Sequence, residues 1–460
     1  MHRVQSVCAV LDRWHWALLV VAMPFLLFPS PSRSPAMLIV PVLWIISRLA
    51  GRELLPRTPL NLVLLVMFVM VLISEWATFD LAWSLPKIAG MILGIGIYFA
   101  LVRYGKSPCQ WWGSLLLFIV AGFGISVLAL FGTQWSTKIS FLAPIFVHLV
   151  PRITGLPGSE VGWSANELAG VLVWVTPLML NLGVLAWVRR AALVERLGWG
   201  QANVLVIMIA VGSLFVTVVL ILTQSRGGYL GFAITELLIL FVALPRRGKM
   251  ALGGLGGLVL AASVLWAMRS APMGEISRFL NGDAGGGALN SVGVLGTAEG
   301  RLEVWSRGIY GIQDFPFTGM GMNNFRRVAP VLYPFFLIGP DVDIAHAHNE
   351  FLQAALDLGI PGLIAFLALY LGAFWMLFEI WRAAPNTPTP TLLRTLVLGF
   401  GGGLFAHIVY SMTDAVTLGA KPGFLFWMLL GLIAGLFDQV HSRRITEWTW
   451  WHRLDTGMAI

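Results

Sequence analysis

Apolar stretches of about 20 residues, almost free of charge, follow one another through most of this sequence and limit its fold more than any motif. A bilayer core about 30 Å thick requires about 20 apolar residues in an α-helix. Soluble domains carry about 25% charged residues, whereas this chain carries 11%. The sequence therefore predicts an all-α polytopic membrane protein. Its twelve predicted spans lie near residues 14–31, 36–50, 60–79, 86–102, 111–131, 164–187, 203–222, 227–244, 250–268, 351–380, 394–413 and 422–437.

The positions of Lys and Arg predict how these spans are oriented. With the N-terminus in the cytoplasm, 18 of the 30 basic residues lie in inner segments and six lie in short outer segments, as the positive-inside rule requires. Both termini are then cytoplasmic. The chain divides into nine spans over 1–268, a large outer loop over 269–350, and three spans with a cytoplasmic tail over 351–460. No Ala-x-Ala cleavage site follows the first apolar stretch, so we expect a retained helix.

Charge and cysteine content exclude several classes of function. The formal net charge of +8 comes from short basic clusters between apolar stretches, a distribution that indicates membrane orientation rather than nucleic-acid binding. Cys8 and Cys109 are the two cysteines, and they imply neither a disulfide framework nor a cysteine-based metal site. Polar residues are concentrated in the outer loop, where we expect the chemistry. There, Leu302, Trp305 and Ile309 recur at helical spacing and predict a short amphipathic helix from 301 to 313.

Arg226 opens a predicted span from its outer side, within the sequence Thr-Gln-Ser-Arg-Gly-Gly-Tyr-Leu (223–230). An arginine at the membrane boundary can simply extend to the lipid headgroups. However, the two adjacent glycines leave the backbone open, and a planar guanidinium can bind a phosphate through two parallel hydrogen bonds. We interpret Arg226 as a candidate anion-binding residue.

Two further elements of the outer loop are weaker candidates. Arg301, four residues before Trp305, could bind a ligand or could exchange between its acidic neighbours in solvent, an interaction that contributes little. Gly319 and Gly321 permit a tight turn whose N–H groups could face an anion. A turn that only packs Phe325 is an equally good interpretation of the two glycines.

The densest polar cluster lies where the chain re-enters the membrane: Asp341, Asp343, His346, His348 and Glu350. Imidazole titrates near neutral pH and suits removal of a proton from a hydroxyl group. The same His and Asp residues could instead hold a divalent metal that neutralises a diphosphate. The cluster could also be an ordinary interfacial helix cap. The residues alone leave these three interpretations open.

In this order, the candidate residues resemble the O-antigen ligase/polymerase family of membrane glycosyltransferases, most closely its ligases. The resemblance rests on His348-Asn349 followed after nine residues by Gly359 and after two more by Gly362. Arg226 with Leu230, Arg301 with Trp305, and Pro316-x-x-Gly-x-Gly-x-x-x-Phe (316–325) complete the pattern. The segment from about 220 to 365 carries all of it, and the twelve spans with one large loop agree.

The resemblance implies a GT-C-like fold and a metal-independent, inverting transferase of lipopolysaccharide biosynthesis that needs no cofactor. Its donor would be a glycan on undecaprenyl diphosphate, at the periplasmic face of the bacterial inner membrane among membrane lipids. Arg226 and Arg301 would bind the diphosphate, and His348 would be the base. Asn349, Gly319, Gly321, His346 and Trp305 are candidate substrate-binding residues; the resemblance assigns no role to Asp341, Asp343 or His346.

The acceptor distinguishes the members of the family. In the ligases it is a sugar of the lipid A core, which we favour because His348 lies where a lipid-anchored hydroxyl would be held just above the bilayer. In the polymerases it is another lipid-linked repeat, and some relatives glycosylate proteins. A non-enzymatic transporter is the alternative from a different class. Transporters, however, typically show internal repeats and paired broken helices, and the sequence shows neither.

Overall fold

The computed structural model describes residues 2–135, 153, 162–245, 247–249, 298–339, 342–416, 418–442 and 444. Over these residues the chain is almost entirely α-helical, as predicted. One two-stranded parallel pair joins β1 (Thr133–Gln134) to β2 (Trp163–Ser164). The helices are α1 His2–Arg13, α2 His15–Leu27, α3 Ile39–Leu49, α4 Asn61–Ala77, α5 Leu81–Tyr104, α6 Pro108–Gly132, α7 Ala165–Val188, α8 Arg190–Leu197, α9 Trp199–Leu222, α10 Arg226–Ala243, α11 Ala298–Asp314, α12 Phe325–Leu332, α13 Glu350–Ala383, α14 Pro390–Ser411 and α15 Phe424–His441. Short 3-10 helices cover Ser34–Leu38, Ala384–Asn386 and Lys421–Gly423.

Eight helices of the described residues are long and apolar enough to cross a membrane. They coincide with eight of the twelve predicted spans, the fourth to the eighth and the tenth to the twelfth. The helical segments are Leu81–Tyr104, Pro108–Gly132, Ala165–Val188, Trp199–Leu222, Arg226–Ala243, Glu350–Asn386, Pro390–Ser411 and Lys421–His441. The chain is therefore a multi-pass membrane protein.

The other four predicted spans have different outcomes. The first is a bent pair of helices, Gln5–Arg13 and His15–Leu27, at 68° to each other. The second and third correspond to shorter apolar helices, Ser34–Leu49 and Asn61–Ala77. The ninth, 250–268, lies outside the described residues. Eight spans, or nine with the bent pair, are thus found in the described part of the chain, and twelve stays a prediction.

Glycines bring the helices of the bundle into close contact, as is common where packing rather than hydrophobicity joins helices in a membrane. A Cβ atom at Gly403 on α14 would lie 2.5 Å from the carbonyl oxygen of Trp174 on α7. A Cβ at Gly231 on α10 would lie 2.3 Å from the carbonyl oxygen of Ala406 on α14. These contacts fix α7, α10 and α14 side by side, and the start of α10 and the end of α14 carry part of the candidate site.

The predicted span 351–380 is confirmed as part of a long helical segment, but the helix has a break that the prediction did not include. At Gly359 the backbone leaves the helical conformation, with φ 69° and ψ 177°. The N–H of Ile360 donates to the carbonyl of Pro316 at 2.7 Å, and the N–H of Met320 donates to the carbonyl of Leu356 at 2.7 Å. The turn at 316–321 therefore lies against the break in α13 and satisfies the backbone groups that the break releases.

The polar segment has a small hydrophobic core of its own. Its buried members are Val304, Met320, Phe325, Ala329, Ile338, Ile344, Ala347 and Leu356. The amphipathic helix predicted for 301–313 is confirmed as α11, which packs against α13. Its predicted apolar face is wrong, however: Leu302 is 60% exposed and Ile309 is 45% exposed, whereas Val304 is fully buried. The core-facing side is the one that carries Val304 and the two small residues Gly308 and Gly311.

Candidate active site

Arg226 is the first residue of α10, at one end of the helix bundle. Ser225 caps the helix by accepting from the N–H of Gly228 at 3.4 Å. A Cβ at Gly227 would lie 2.3 Å from the hydroxyl oxygen of Thr413, in the loop after α14. Gly227 follows Arg226, and Thr413 precedes Asp414. The contact between Gly227 and Thr413 therefore places the half-buried Arg226 beside the loop that carries Asp414.

Arg301 lies near Arg226 but belongs to a different helix. It lies in the first turn of α11, whose packing on α13 brings it over the bundle. The two guanidinium groups are near enough for their positive charges to repel each other. Two like charges held together favour a shared anionic ligand, because only an anion offsets their repulsion. The indole Nε1 of Trp305, one turn further along, is buried and has no hydrogen-bond partner among the described residues.

His346 and His348 meet a carboxylate that sequence analysis did not single out. Asp414 Oδ1 lies 3.5 Å from His346 Nε2 and 3.5 Å from His348 Nδ1. Asp414 is 6% exposed, and the N–H of Ala415 donates to the same Oδ1 at 3.0 Å. The centroids of the two imidazole rings are 4.4 Å apart. Two imidazoles and one carboxylate thus form a compact group where α13 begins and α14 ends.

The proton on His346 is fixed by the backbone. The N–H of His348 donates to His346 Nδ1 at 3.2 Å, and a backbone amide can only donate. In the neutral ring the proton of His346 is therefore on Nε2, which faces Asp414. Removal from water, followed by the charge of His348, lowers the pKa of His346 to about 3. His346 is accordingly a neutral donor to Asp414 at physiological pH.

Asp414 stays ionised for a different reason. Its burial alone would raise its pKa, but the His348 and His346 imidazoles, each 3.5 Å away, and the N–H of Ala415 lower the pKa of this carboxyl below its usual range. An ionised carboxylate at His348 Nδ1 favours a proton on that nitrogen and leaves Nε2 as the basic atom. An imidazole held in one tautomer by a carboxylate is the arrangement that allows a histidine to act as general base.

Strained backbone marks both halves of this site. Three non-glycine residues of the described chain have positive φ: Gln224 at 51°, Asn323 at 64° and His348 at 48°. Gln224 lies two residues before Arg226, and His348 is itself a candidate base. Such conformations are uncommon outside glycine, and they persist only where surrounding contacts impose them. Because Gln224 lies close to Arg226 and His348 is the candidate base, the strain at these two residues is consistent with a functional role.

Two groups of candidate substrate-binding residues have evident structural contacts. Asn349 caps α13: its Oδ1 accepts from the N–H groups of Phe351 and Leu352 at 3.0 and 3.1 Å. Gly319 and Gly321 have φ of 69° and 91°, and a Cβ at Gly319 would lie 2.6 Å from the carbonyl of Leu356. The glycines therefore permit the close approach to α13, which is the packing interpretation of this turn.

Asp343, which precedes the histidines, does not belong to this group. Asp343 accepts from Arg326 Nε at 2.9 Å and pairs with its Nη2, and Asp341 lies outside the described residues. Among the described residues, the group whose ligand atoms lie within 4.8 Å of one another is His346, His348 and Asp414. A divalent metal, if one bound near the histidines, would thus have Asp414 rather than Asp343 as its carboxylate.

The central part of the sequence also matches a known protein family. Residues 211–367 match the O-antigen ligase family, Wzy_C. This segment of the chain belongs to the O-antigen ligase family. No curated protein matches the chain. The O-antigen ligase segment contains Arg226, Arg301 and His348 but ends before Asp414, which only the packing of α14 on α10 and α13 brings to the site. The one local signal for Asp414 was a carboxylate in a short loop at the outer end of two spans.

Proposed function

We propose that the protein is an O-antigen ligase that transfers a glycan from undecaprenyl diphosphate to a sugar hydroxyl of a lipid A core, at the periplasmic face of the inner membrane. The observation that carries the proposal is the group His346, His348 and Asp414, beside the outer end of α10 where Arg226 meets Arg301. A base and a pair of cations are the two functions that transfer from a sugar diphosphate requires.

In the proposed reaction, His348 Nε2 takes the proton of the acceptor hydroxyl while the oxygen attacks the anomeric carbon of the donor sugar. A new carbon–oxygen bond forms, and the bond from that carbon to the diphosphate breaks with inversion. The electron pair leaves on the diphosphate, whose added negative charge Arg226 and Arg301 offset. Asp414 keeps the His348 tautomer in place and stabilises the imidazolium that forms.

The hydrogen bonds of the histidines favour a reaction without metal. A histidine that binds a metal normally donates its other ring N–H to a carbonyl or carboxylate. His346 Nδ1 instead accepts from the backbone N–H of His348, so its Nε2 carries a proton and has no lone pair for a metal. We therefore expect turnover to survive exhaustive chelation. Loss of turnover on chelation, with recovery on adding manganese or magnesium, would favour the metal mechanism at these three residues.

The decisive experiment uses the purified protein in lipid with an undecaprenyl-diphosphate-linked glycan. One reaction contains lipid A core as acceptor, and a second contains the donor alone. Ligation predicts one glycan joined to the core and no lengthening of the donor. A ladder of longer lipid-linked chains with donor alone would identify a polymerase, and modification of a protein acceptor would identify a protein glycosyltransferase. His348→Ala, with folding checked by thermal unfolding, should reduce ligation by about 10²–10⁴-fold.

A further inference from the structure

Glu350 is a buried carboxylate that the proposed reaction does not use. It lies two residues after His348, at the start of α13, and is 1% exposed. Its Oε2 accepts from the N–H of Val416 at 2.6 Å, and its Oε1 accepts from the N–H of Leu418 at 3.0 Å. Two backbone N–H groups thus bond to one buried carboxyl group, and this side chain holds that part of the loop.

Asn349 holds the same loop at its other end. Its Nδ2 donates to the carbonyl of Met412 at 3.3 Å, while its Oδ1 caps α13. The two residues that follow His348 therefore contact the loop on both sides of Asp414, at 412 before it and at 416 and 418 after it. Between Ser411 and Lys421 the described residues belong to no helix or strand, so these contacts hold a loop that secondary structure does not.

We infer that Glu350 is a positioning residue, which keeps Asp414 Oδ1 at His348 Nδ1 by fixing the loop 412–418. The inference rests on the proposed function, because it explains how Asp414, the carboxylate of the proposed reaction, is positioned. The coupling has a simple physical basis: His348 and Glu350 lie on one short piece of backbone, so the loop that Glu350 binds is placed relative to His348 itself. Displacement of a catalytic group by about 1 Å can cost roughly 10²-fold in rate.

Glutamine tests whether the carboxylate is required. It has the shape of Glu350 but only one acceptor oxygen, so its NH₂ group faces a backbone N–H and one buried donor loses its partner. We expect Glu350→Gln to lower kcat about 10–100-fold and to leave KM for the lipid-linked donor within about twofold, because Arg226 and Arg301 are untouched. Glu350→Asp keeps the charge on a shorter side chain and should give an intermediate rate.

Two readouts separate positioning from general destabilisation. A carboxylate beside the base favours the protonated imidazole, so weakening that contact in Glu350→Gln should move the acid limb of the pH–rate profile to lower pH, as Asp414→Asn does. The double variant should be no slower than Asp414→Asn alone, because the two changes remove one interaction. An unmoved acid limb with additive losses, or full activity of Glu350→Gln, would overturn the inference.

Glu303 provides the matched control. It is 9% exposed, and its carboxylate accepts from the N–H groups of Phe336 and Leu337 at 2.6 and 3.0 Å, the same contact in another loop. Glu303→Gln should leave the acid limb in place, and any loss of rate should add to that of Asp414→Asn. If Glu303→Gln moves the acid limb as Glu350→Gln does, the effect is not specific to the loop 412–418 and the inference is wrong.

Amide hydrogen exchange tests the clamp without reference to activity. In Glu350→Gln the amides of Val416 and Leu418 should exchange faster than in the unchanged protein, whereas Asp414→Asn should leave them protected. Unchanged protection in Glu350→Gln would overturn the inference even if the rate falls. If the two amides do exchange faster but Asp414→Asn remains fully active, the clamp stands and the proposed role of Asp414 in catalysis fails.

Discussion

His346 and His348 are two residues apart and contact the same carboxylate, yet their rings are held differently. A backbone N–H fixes the acceptor nitrogen of His346, and loss of hydration keeps its pKa at about 3. His348 instead turns Nδ1 toward Asp414, on a backbone with φ of 48°. A permanently neutral donor can be replaced by another neutral donor, but a base cannot.

The same substitution at the two histidines should therefore have very different effects. Glutamine can donate to Asp414 in place of His346 but cannot accept a proton in place of His348. We expect His346→Gln to keep activity within about tenfold and to leave the acid limb of the pH–rate profile in place, because a group with a pKa of about 3 stays neutral across the physiological range. His348→Gln should lose about 10²–10⁴-fold. The measurement is the transfer rate of both variants as a function of pH. Equal losses of rate in His346→Gln and His348→Gln would show that His346 also takes part in proton transfer.

Lysine should not replace either Arg226 or Arg301 well. It keeps the positive charge but lacks the planar fork that binds a phosphate through two hydrogen bonds. Loss of one charge-assisted hydrogen bond costs about 1.5–3 kcal/mol, so kcat/KM should fall at least about tenfold in each variant. Arg382→Lys is the control, since Arg382 lies away from the candidate site, in an exposed pair with Glu379 at 3.4 Å and over the ring of Phe378. Full activity of both site variants would contradict a diphosphate-binding role.

The sequence revealed those site residues whose type is unusual for their surroundings. Arg226 and His348 were visible because charged and titratable groups are rare at the membrane boundary. Asp414 belongs to the same class, but nothing in the local sequence relates it to residues 66 and 68 positions earlier. The contact depends on how α14 packs between α7, α10 and α13, and single-sequence periodicity carries no information about that packing. Glu350 appeared as one more acid of a cluster, although its carboxylate binds backbone.

At the scale of helices, the apolar stretches predict the long spans but not the breaks within them. A hydropathy pattern gives the length of an apolar stretch but not the direction of the helix axis, so it does not predict the bend between α1 and α2. The buried carboxylate of Asp12 binds Ser47 at 2.5 Å, Arg52 at 2.9 Å and Arg103 at 3.2 Å, and so ties the end of α1 to neighbouring segments. The break at Gly359 had a local signal in Pro361, since proline interrupts helices, but the sequence does not show which backbone fills the break.

The contact between α10 and α14 can be tested with a single methyl group. A Cβ at Gly231 would lie 2.3 Å from the carbonyl oxygen of Ala406, and that backbone atom cannot rotate away. Gly231→Ala should separate the two helices, cost about 1–3 kcal/mol and reduce activity by displacing Arg226 from the Asp414 loop. Gly124→Ala on α6 is the control, since nothing lies within 4 Å of its added methyl. Thermal unfolding and transfer rates are measured for both; unchanged values in Gly231→Ala would contradict this packing.

At the scale of the whole molecule, the orientation in the membrane stays a prediction, based on where Lys and Arg fall between the spans. It places the candidate site outside, where a lipid-linked glycan and a lipid-anchored acceptor would both be available. The two cysteines differ as reporters of this orientation. Cys8 is buried and Cys109 is exposed, so a thiol reagent that fails to label Cys8 provides no information about its side of the membrane.

Cys109 and an introduced cysteine can report the two sides together. Cys109 lies in the first turn of α6, on the predicted cytoplasmic side, and Phe336 is 84% exposed in the polar segment. With Cys8 replaced by Ser, a membrane-impermeant maleimide added to intact spheroplasts should leave Cys109 unlabelled. In a variant lacking both native cysteines, Phe336→Cys should be labelled under the same conditions. Permeabilised membranes, in which both positions should react, control for reactivity. Labelling of Cys109 in intact spheroplasts would reverse the orientation, and the candidate site would then face the cytoplasm.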